Sequence, residues 1–325
     1  MEGKAVKIPG EVLERESRHL GFHPEILEKV IQLLNLLEAL NRHPYLKTKF
    51  LLKGGTALNL FLLDVPRLSV DIDVNYIGCP DRTEMLEERP RILDAVKTVF
   101  AREGLRPDLP FREDHAAVSM EALYESDFFG GGAKLKVDAN FLSRVPLWPG
   151  RKMDSRPVGP WAAQGIPVVD LHELAAGKIA ALMDRRASRD LFDAVQIFRM
   201  EGLDPERLRL ACVVYGGAQG RDWRSVTSDE LAFNHRELKN ELVPTLARGT
   251  WQGTADGYGA QLVEECRAGL DLIFPLRENE RDFLDRLLDR GIVEPERLTE
   301  DPALAERIRD NPPLRWRAQC VQKRL

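Results

Sequence analysis

Cysteine is scarce in this 325-residue chain: Cys79, Cys212, Cys266 and Cys320 are its four, and no two form a CxxC pair. Such scattering excludes a disulfide framework and a zinc ribbon, and reads as thiols buried in a reducing compartment. No uninterrupted apolar run is long enough to span a bilayer. The N-terminal MEGKAVKIPGEVLERESRHLG has no apolar signal-peptide core, so a cytoplasmic protein without a membrane partner is expected. Basic charge is also short, with 47 Lys and Arg against 52 Asp and Glu and a formal net charge of −5. That argues against a protein held on nucleic acid by a broad basic face. It leaves room for local patches, for which DRRASRD and the C-terminal RWRAQCVQKRL are the candidates. There is no internal repeat and no low-complexity tract. AAGKIAA contains Gly-Lys but neither the earlier glycine nor the Ser/Thr of a P-loop. The six histidines, His172 and His235 among them, show no metal-ligand spacing and read as surface or capping residues.

What is present is concentrated near the front. Residues 24–42 open on proline and carry apolar residues at helical spacing, which predicts an amphipathic helix. KFLLK predicts a short buried strand, GTALNLFLL a helix, and LSVDIDVNYI, alternating polar and apolar, a half-buried strand. Residues 82–104 predict a charged helix. AAVSMEALYES and AKLKVDANFL predict two more strands joined by a turn at Gly130–Gly132, and IPVVDL a last short one. HELAAGKIAALMDRRASRDLFDAVQIFRM is helical, in one piece or two, and beyond it the pattern is mostly helical. The reading is an α+β front domain over 1–200 and a helical domain over 201–325.

The stretch KGGTALNLFLLDVPRLSVDIDVNYIG, residues 53–78, carries the chemistry. On a strand, Ser69, Asp71 and Asp73 share one face and Val70, Ile72 and Val74 the other. Two alternating carboxylates suit a hard divalent cation that keeps room for substrate phosphates. Upstream, Gly54-Gly55-Thr56 at a helix start lets backbone N–H groups approach an anion. In KLKVDANF, Lys134, Lys136, Asp138 and Asn140 share a face, so Asp138 is a candidate third carboxylate for a two-metal site. On a straight helix Lys178, Arg185 and Arg189 would share a stripe, with Asp193 at its edge and Asp190 off it. A break near Ser188, capping a new helix, would turn Asp190 toward the same cleft. Each piece alone also reads as an ordinary turn, a solvated strand face or a surface salt-bridge helix.

Together, in order, the four segments LKGGTALNL, RLSVDIDVNY, KVDANF and KIAALMDRRASRDLFD resemble the AbiEii/AbiGii-type nucleotidyltransferase toxins, MenT-like toxins included. These lie within the DNA polymerase β-like nucleotidyltransferase superfamily. The resemblance covers about residues 25–200, and no second family is recognised in the C-terminal part. It implies a polymerase β-like core with a mixed sheet, followed by a mostly helical C-terminal domain. It further implies Mg²⁺, with Mn²⁺ as a substitute, on Asp71, Asp73 and Asp138. Asp71, Asp73, Lys178 and Asp190 would be catalytic, while Lys53, Gly54, Gly55, Thr56, Ser69 and Arg189 would bind the nucleotide. Lys178 would contact the triphosphate. Gly-Gly in place of the superfamily's Gly-Ser shifts the hydroxyl's role to Thr56. The implied reaction moves a nucleoside monophosphate from an NTP to an RNA acceptor, a tRNA 3′ end, with a separately encoded antitoxin as partner. In related toxins the hydroxyl matching Ser69 is a phosphorylation target for silencing. Two alternatives stay open: an acceptor hydroxyl on a protein or small molecule, and a non-catalytic nucleotide-sensing protein.

Overall fold

The computed structural model of the protein describes residues 8–126 and 131–324. Contacts divide these into two compact units. The first draws on Met1–Arg144, Gly150–Val169 and Pro244–Trp251, and the second on Val145–Pro149, Asp170–Val243 and Gln252–Leu325. The helices that follow residue 170 therefore group with the second unit, whereas the sequence reading placed them in a domain ending at 200.

The first unit is built on seven strands: β1 (Phe50–Lys53), β2 (Ile72–Tyr76), β3 (Arg106–Glu113), β4 (Ala117–Ser126), β5 (Gly131–Asn140), β6 (Arg151–Met153) and β7 (Ile166–Val168). They form one mixed sheet in the order β3-β4-β5-β2-β1-β7-β6, parallel at β2–β5 and β1–β7 and antiparallel elsewhere. Its helices are α1 (Gly10–Leu20), α2 (Pro24–Arg42), the short α3 (Gly54–Ala57) and α4 (Arg82–Arg102). The predicted apolar stripe of α2 is buried through Leu27, Val30, Ile31, Leu34 and Leu37, and the helix packs on β5, β7 and α4. Asp81 starts α4 by accepting from the N–H groups of Thr83 and Glu84. Ile72, Val74, Val137 and Ala139 fill the core from the sheet, which leaves the alternate residues of β2 and β5 on the other face.

Several elements depart from the sequence reading. LSVDIDVNYI is a strand only from Ile72, because residues 67–71 have no ladder partner in the sheet and are held otherwise. GTALNLFLL begins as α3 but continues as a π-helical turn over Leu58–Leu62. Of the predicted glycine turn, Gly130 lies outside the described residues, and Gly131 and Gly132 already belong to β5. The strands β3 and β6 and the helix α1 were not foreseen.

The second unit is helical: α5 (Leu171–Arg185), α6 (Ser188–Phe198), α7 (Pro205–Gly217), a single turn α8 (His235–Glu237), α9 (Ala255–Leu270), α10 (Glu278–Arg290), α11 (Pro302–Arg309) and α12 (Pro312–Gln322). The expected interruption is present, with Arg186 in the left-handed region at φ 56° between α5 and α6. Ser188 does not cap α6 as expected. It is the first helical residue, and Glu237 supplies the cap by accepting from the Ser188 N–H at 2.9 Å. Cys212 and Cys266 are buried, while Cys79 and Cys320 are partly exposed.

His172, expected as a surface or capping residue, is not at the surface. It is buried, its Nδ1 lies 3.0 Å from Asp170 Oδ1, and its Nε2 accepts from the Asp204 N–H. Those two contacts fix the tautomer, with the proton on Nδ1. Beside it, burial pushes the Glu173 carboxyl up to about 7, against the opposing pull of hydrogen bonds donated by backbone N–H groups, Trp148 among them, and by the Tyr215 hydroxyl. An acid raised in this way costs nothing below its unfolded value near 4.5, where both states are protonated. As pH rises to about 7 the unfolded chain ionises first, and stability falls by about 3 kcal/mol before levelling off. Glu173→Gln is therefore expected to flatten the decline between pH 5 and 7.5, read from urea midpoints of the two proteins at matched pH. An equal slope in both would show that Glu173 does not set it.

Candidate active site

β1 runs directly into the glycine turn. Gly54 has φ +73°, which L-residues with a side chain rarely adopt, and its α-carbon lies hard against Asp73. A methyl group there would meet Asp73 Cβ and Cγ at 2.9 Å. Gly55 is equally tight: its methyl would meet Ser69 Oγ at 2.8 Å and Arg67 Nη2 at 3.0 Å. The two glycines thus let the turn close onto the Arg-x-Ser-x-Asp-x-Asp segment. Thr56 is fully buried and its hydroxyl donates to the Asp71 carbonyl at 2.5 Å. That hydroxyl is thus committed to holding the Asp71 backbone.

Ser69 and Asp71 are held without a strand. The Leu68 N–H donates to the Thr245 carbonyl at 2.8 Å, and Arg67 bridges to Leu246. Arg67 is almost completely buried and donates from Nη1 to the Leu68 carbonyl. The sequence alone assigns this arginine no place in the site; its position two residues before Ser69, at the head of Arg-x-Ser-x-Asp-x-Asp, is the available signal. Ser69 is 9% exposed and packs on the turn.

The sheet register assembles the carboxylates. Asp73 is opposite Lys53 on β1 and opposite Asp138 on β5, and Asp138 is opposite Ser119 on β4. A cavity of about 370 Å³ opens over this row, lined by Lys53, Asp73, Ser119, Asp138, Asn140 and Arg112 among others. The Ser119 hydroxyl beside it is buried without a hydrogen-bond partner. Lys136 Nζ lies 2.5 Å from Asp138 Oδ2. Burial alone would lower the Lys136 ammonium, but the hydrogen bond to Asp138 and the charges of Asp138, Asp71 and Asp73 outweigh it and hold the value above the ordinary one. All three predicted metal ligands therefore act electrostatically on one point.

Among the described residues, no three His, Cys, Asp or Glu side chains converge into a ready metal cage. Mg²⁺ in nucleotide sites needs none, since it takes one or two carboxylates and completes its octahedron with waters and phosphates. Asp73 and Asp138, in register and with Asp73 against the Gly54 turn, fit that donor set.

In the second unit the helix break does what the sequence required of it. Lys178 on α5 meets Asp190 at 3.2 Å and Asp193 at 2.7 Å on α6, and Arg185 meets Asp190 at 2.6 Å. Asp190 is 1% and Asp193 0% exposed on their side chains, so this is a buried ionic cluster. Arg189 points instead to the exposed Glu241, at 3.3 Å, and Arg186 to Glu230 at 2.8 Å. Each arginine of DRRASRD therefore faces a carboxylate while its side chain stays 39–62% exposed.

A mixed sheet with paired carboxylates on adjacent strands beside a glycine turn is the arrangement of a nucleotidyltransferase. The chain belongs to the AbiEii toxin family: residues 35–320 match the family described as nucleotidyl transferase AbiEii toxin, type IV toxin–antitoxin system. It is a nucleotidyltransferase toxin of such a system. The match runs through the helical part as well, beyond the span of 25–200 that the motifs cover. The structure is similar to MenT4, the nucleotidyltransferase toxin Rv2826c from Mycobacterium tuberculosis H37Rv, at a TM-score of 0.62 and 18% identity, over 93% of this chain and 98% of that one. That likeness shows the shared α+β fold. JHP933 from Helicobacter pylori aligns at a TM-score of 0.48 and 16% identity, over 77% of this chain and 94% of that one. No curated protein sequence matches the chain. Among the described residues no helix is long and apolar enough to cross a membrane.

Proposed function

We propose that the chain transfers a nucleoside monophosphate from an NTP to the 3′ end of a tRNA, in the cytoplasm, with Mg²⁺ or in its place Mn²⁺, and that a separately encoded antitoxin restrains it. The observation that carries this reading is the placement of Asp73 between the Gly54 turn and Asp138. In it an acceptor hydroxyl attacks the α-phosphorus, a new P–O bond forms, the bond to the β-phosphate breaks and pyrophosphate leaves. When bound, the divalent cation supplies charge neutralisation to the phosphates and lowers the pKa of the attacking oxygen. Asp73 and Asp138 would hold it, with Asp71 two residues before Asp73 as the third candidate. Lys53 and the backbone of Gly54, Gly55 and Thr56 orient the nucleotide, and Ser69 shapes the turn.

A tRNA end suits the charge of the chain better than a duplex does. With a net charge of −5, the chain has no overall excess of basic charge to follow a long phosphate track. A terminal nucleotide needs only a cleft of the size found beside Asp138. The test is incubation with each α-labelled NTP, Mg²⁺ and total RNA. Label is expected in a ribonuclease-sensitive, protease-resistant product of tRNA size, and to vanish when the tRNA 3′ diol is oxidised beforehand. Label carried only by protein would overturn the RNA acceptor.

A further inference from the structure

Lys136 sits two residues before Asp138 on β5, half-buried, with its Nζ 2.5 Å from Asp138 Oδ2. Asp73 is the register partner of Asp138 on the adjoining strand. The ammonium therefore sits on one of the two in-register carboxylates that a divalent cation would use. An oxygen held at 2.5 Å by an ammonium cannot also serve a metal at full strength, because the two cations repel and compete for the same lone pairs. Lys134, on the same face of the strand, provides a contrast. It is exposed and paired elsewhere, at 2.6 Å to Asp108 and 3.0 Å to Glu121.

We propose that Lys136 is the resident counter-ion of the carboxylate cluster, holding Asp138 beside Asp73 in the nucleotide-free protein and yielding its place when metal and nucleotide enter. This rests on the metal-dependent reading above and adds to it a displacement step inside the chain. Lys136 is on this account a positioning residue. It keeps like charges together at the cost of weaker metal binding, so the cluster fills far more readily when the nucleotide's phosphates bring the cation with them.

The experiment is a Mn²⁺ titration of the full chain without nucleotide, followed by the EPR signal of free Mn²⁺. Lys136→Met and Lys136→Gln are both expected to bind Mn²⁺ about tenfold more tightly than the wild type, from loss of one nearby positive charge. Lys134→Met is expected to stay within about twofold. A second readout needs no turnover: metal-free Lys136→Met should melt below the wild type, and saturating Mn²⁺ should close the gap. Unchanged or weaker Mn²⁺ binding in both Lys136 variants overturns the inference, as does an equal tightening in Lys134→Met. Asp73→Asn separates the two levels. If it weakens Mn²⁺ binding while the Lys136 variants do nothing, only the counter-ion role fails. If the wild type binds no Mn²⁺ that Asp73→Asn weakens, the metal site fails and the counter-ion role with it.

Discussion

Asp73→Asn is expected to reduce nucleotide incorporation by about a thousandfold or more while the protein stays folded. The size follows from position. Asp73 is the one carboxylate that touches both halves of the first unit's site, lying against the Gly54 turn on one side and opposite Asp138 on the other. Asparagine keeps the shape, so the close packing on Gly54 survives, but it removes the negative charge that a divalent cation requires. Stability should hold or rise slightly, since one of several neighbouring like charges is gone. The checks are a single-turnover incorporation assay and a thermal melt on the same preparation. Activity within tenfold of the wild type would mean that Asp73 is not a ligand of the reacting nucleotide's metal.

Lys178→Met is expected to act on stability and activity together. Its ammonium is the shared partner of two fully buried carboxylates, Asp190 and Asp193. Asp190 keeps Arg185, but the cluster loses a charge that its burial makes hard to replace. Removing one member of a buried ionic group typically costs about 3–5 kcal/mol, mainly through the charge left behind. The double variant Lys178→Met/Asp193→Asn tells the two roles apart. Balancing the cluster should recover most of the urea midpoint, whereas incorporation should stay low if Lys178 has the triphosphate role that the family resemblance implies. Recovery of both would make Lys178 a purely structural residue.

The parts of the fold that sequence reasoning found are those whose pattern is local. The apolar stripe of α2, the alternation in β4 and β5, and the opposed faces Lys134/Lys136/Asp138/Asn140 and Leu135/Val137/Ala139 all follow from periodicity. β3 was missed because RPDLPFRE holds two prolines and no alternation. It is an exposed edge strand, paired only with β4 and with a register shift between Asp108 and Arg112. α1 was missed because its sequence is dense in charge and buries little beyond Leu13. Ser69 and Asp71 were placed on a strand that does not reach them. Their actual support comes from Thr56 and from Thr245–Leu246, and the latter contact joins segments far apart in the chain that no local pattern announces.

The same limit shows within the site. The order of motifs identified Asp71, Asp73 and Asp138, and the register of β2 against β5 then set Asp73 facing Asp138. Thr56 carries an intrinsic ambiguity that only burial resolves: a hydroxyl beside two glycines could face a phosphate or the backbone, and here it faces the Asp71 carbonyl. Lys136 was visible as a member of a polar strand face, yet nothing in its spacing showed that its charge would be taken up by the carboxylates beside it.

One measurement tests the central claim most directly. The wild type and Asp73→Asn are each given NTP labelled at the α-phosphate or at the γ-phosphate, with Mg²⁺ and total RNA, and both the RNA and the released pyrophosphate are counted. The account predicts α-label on RNA with γ-label in pyrophosphate for the wild type, and neither product above background for Asp73→Asn. Transfer of γ-label to the acceptor, or undiminished α-label transfer by Asp73→Asn, would contradict it.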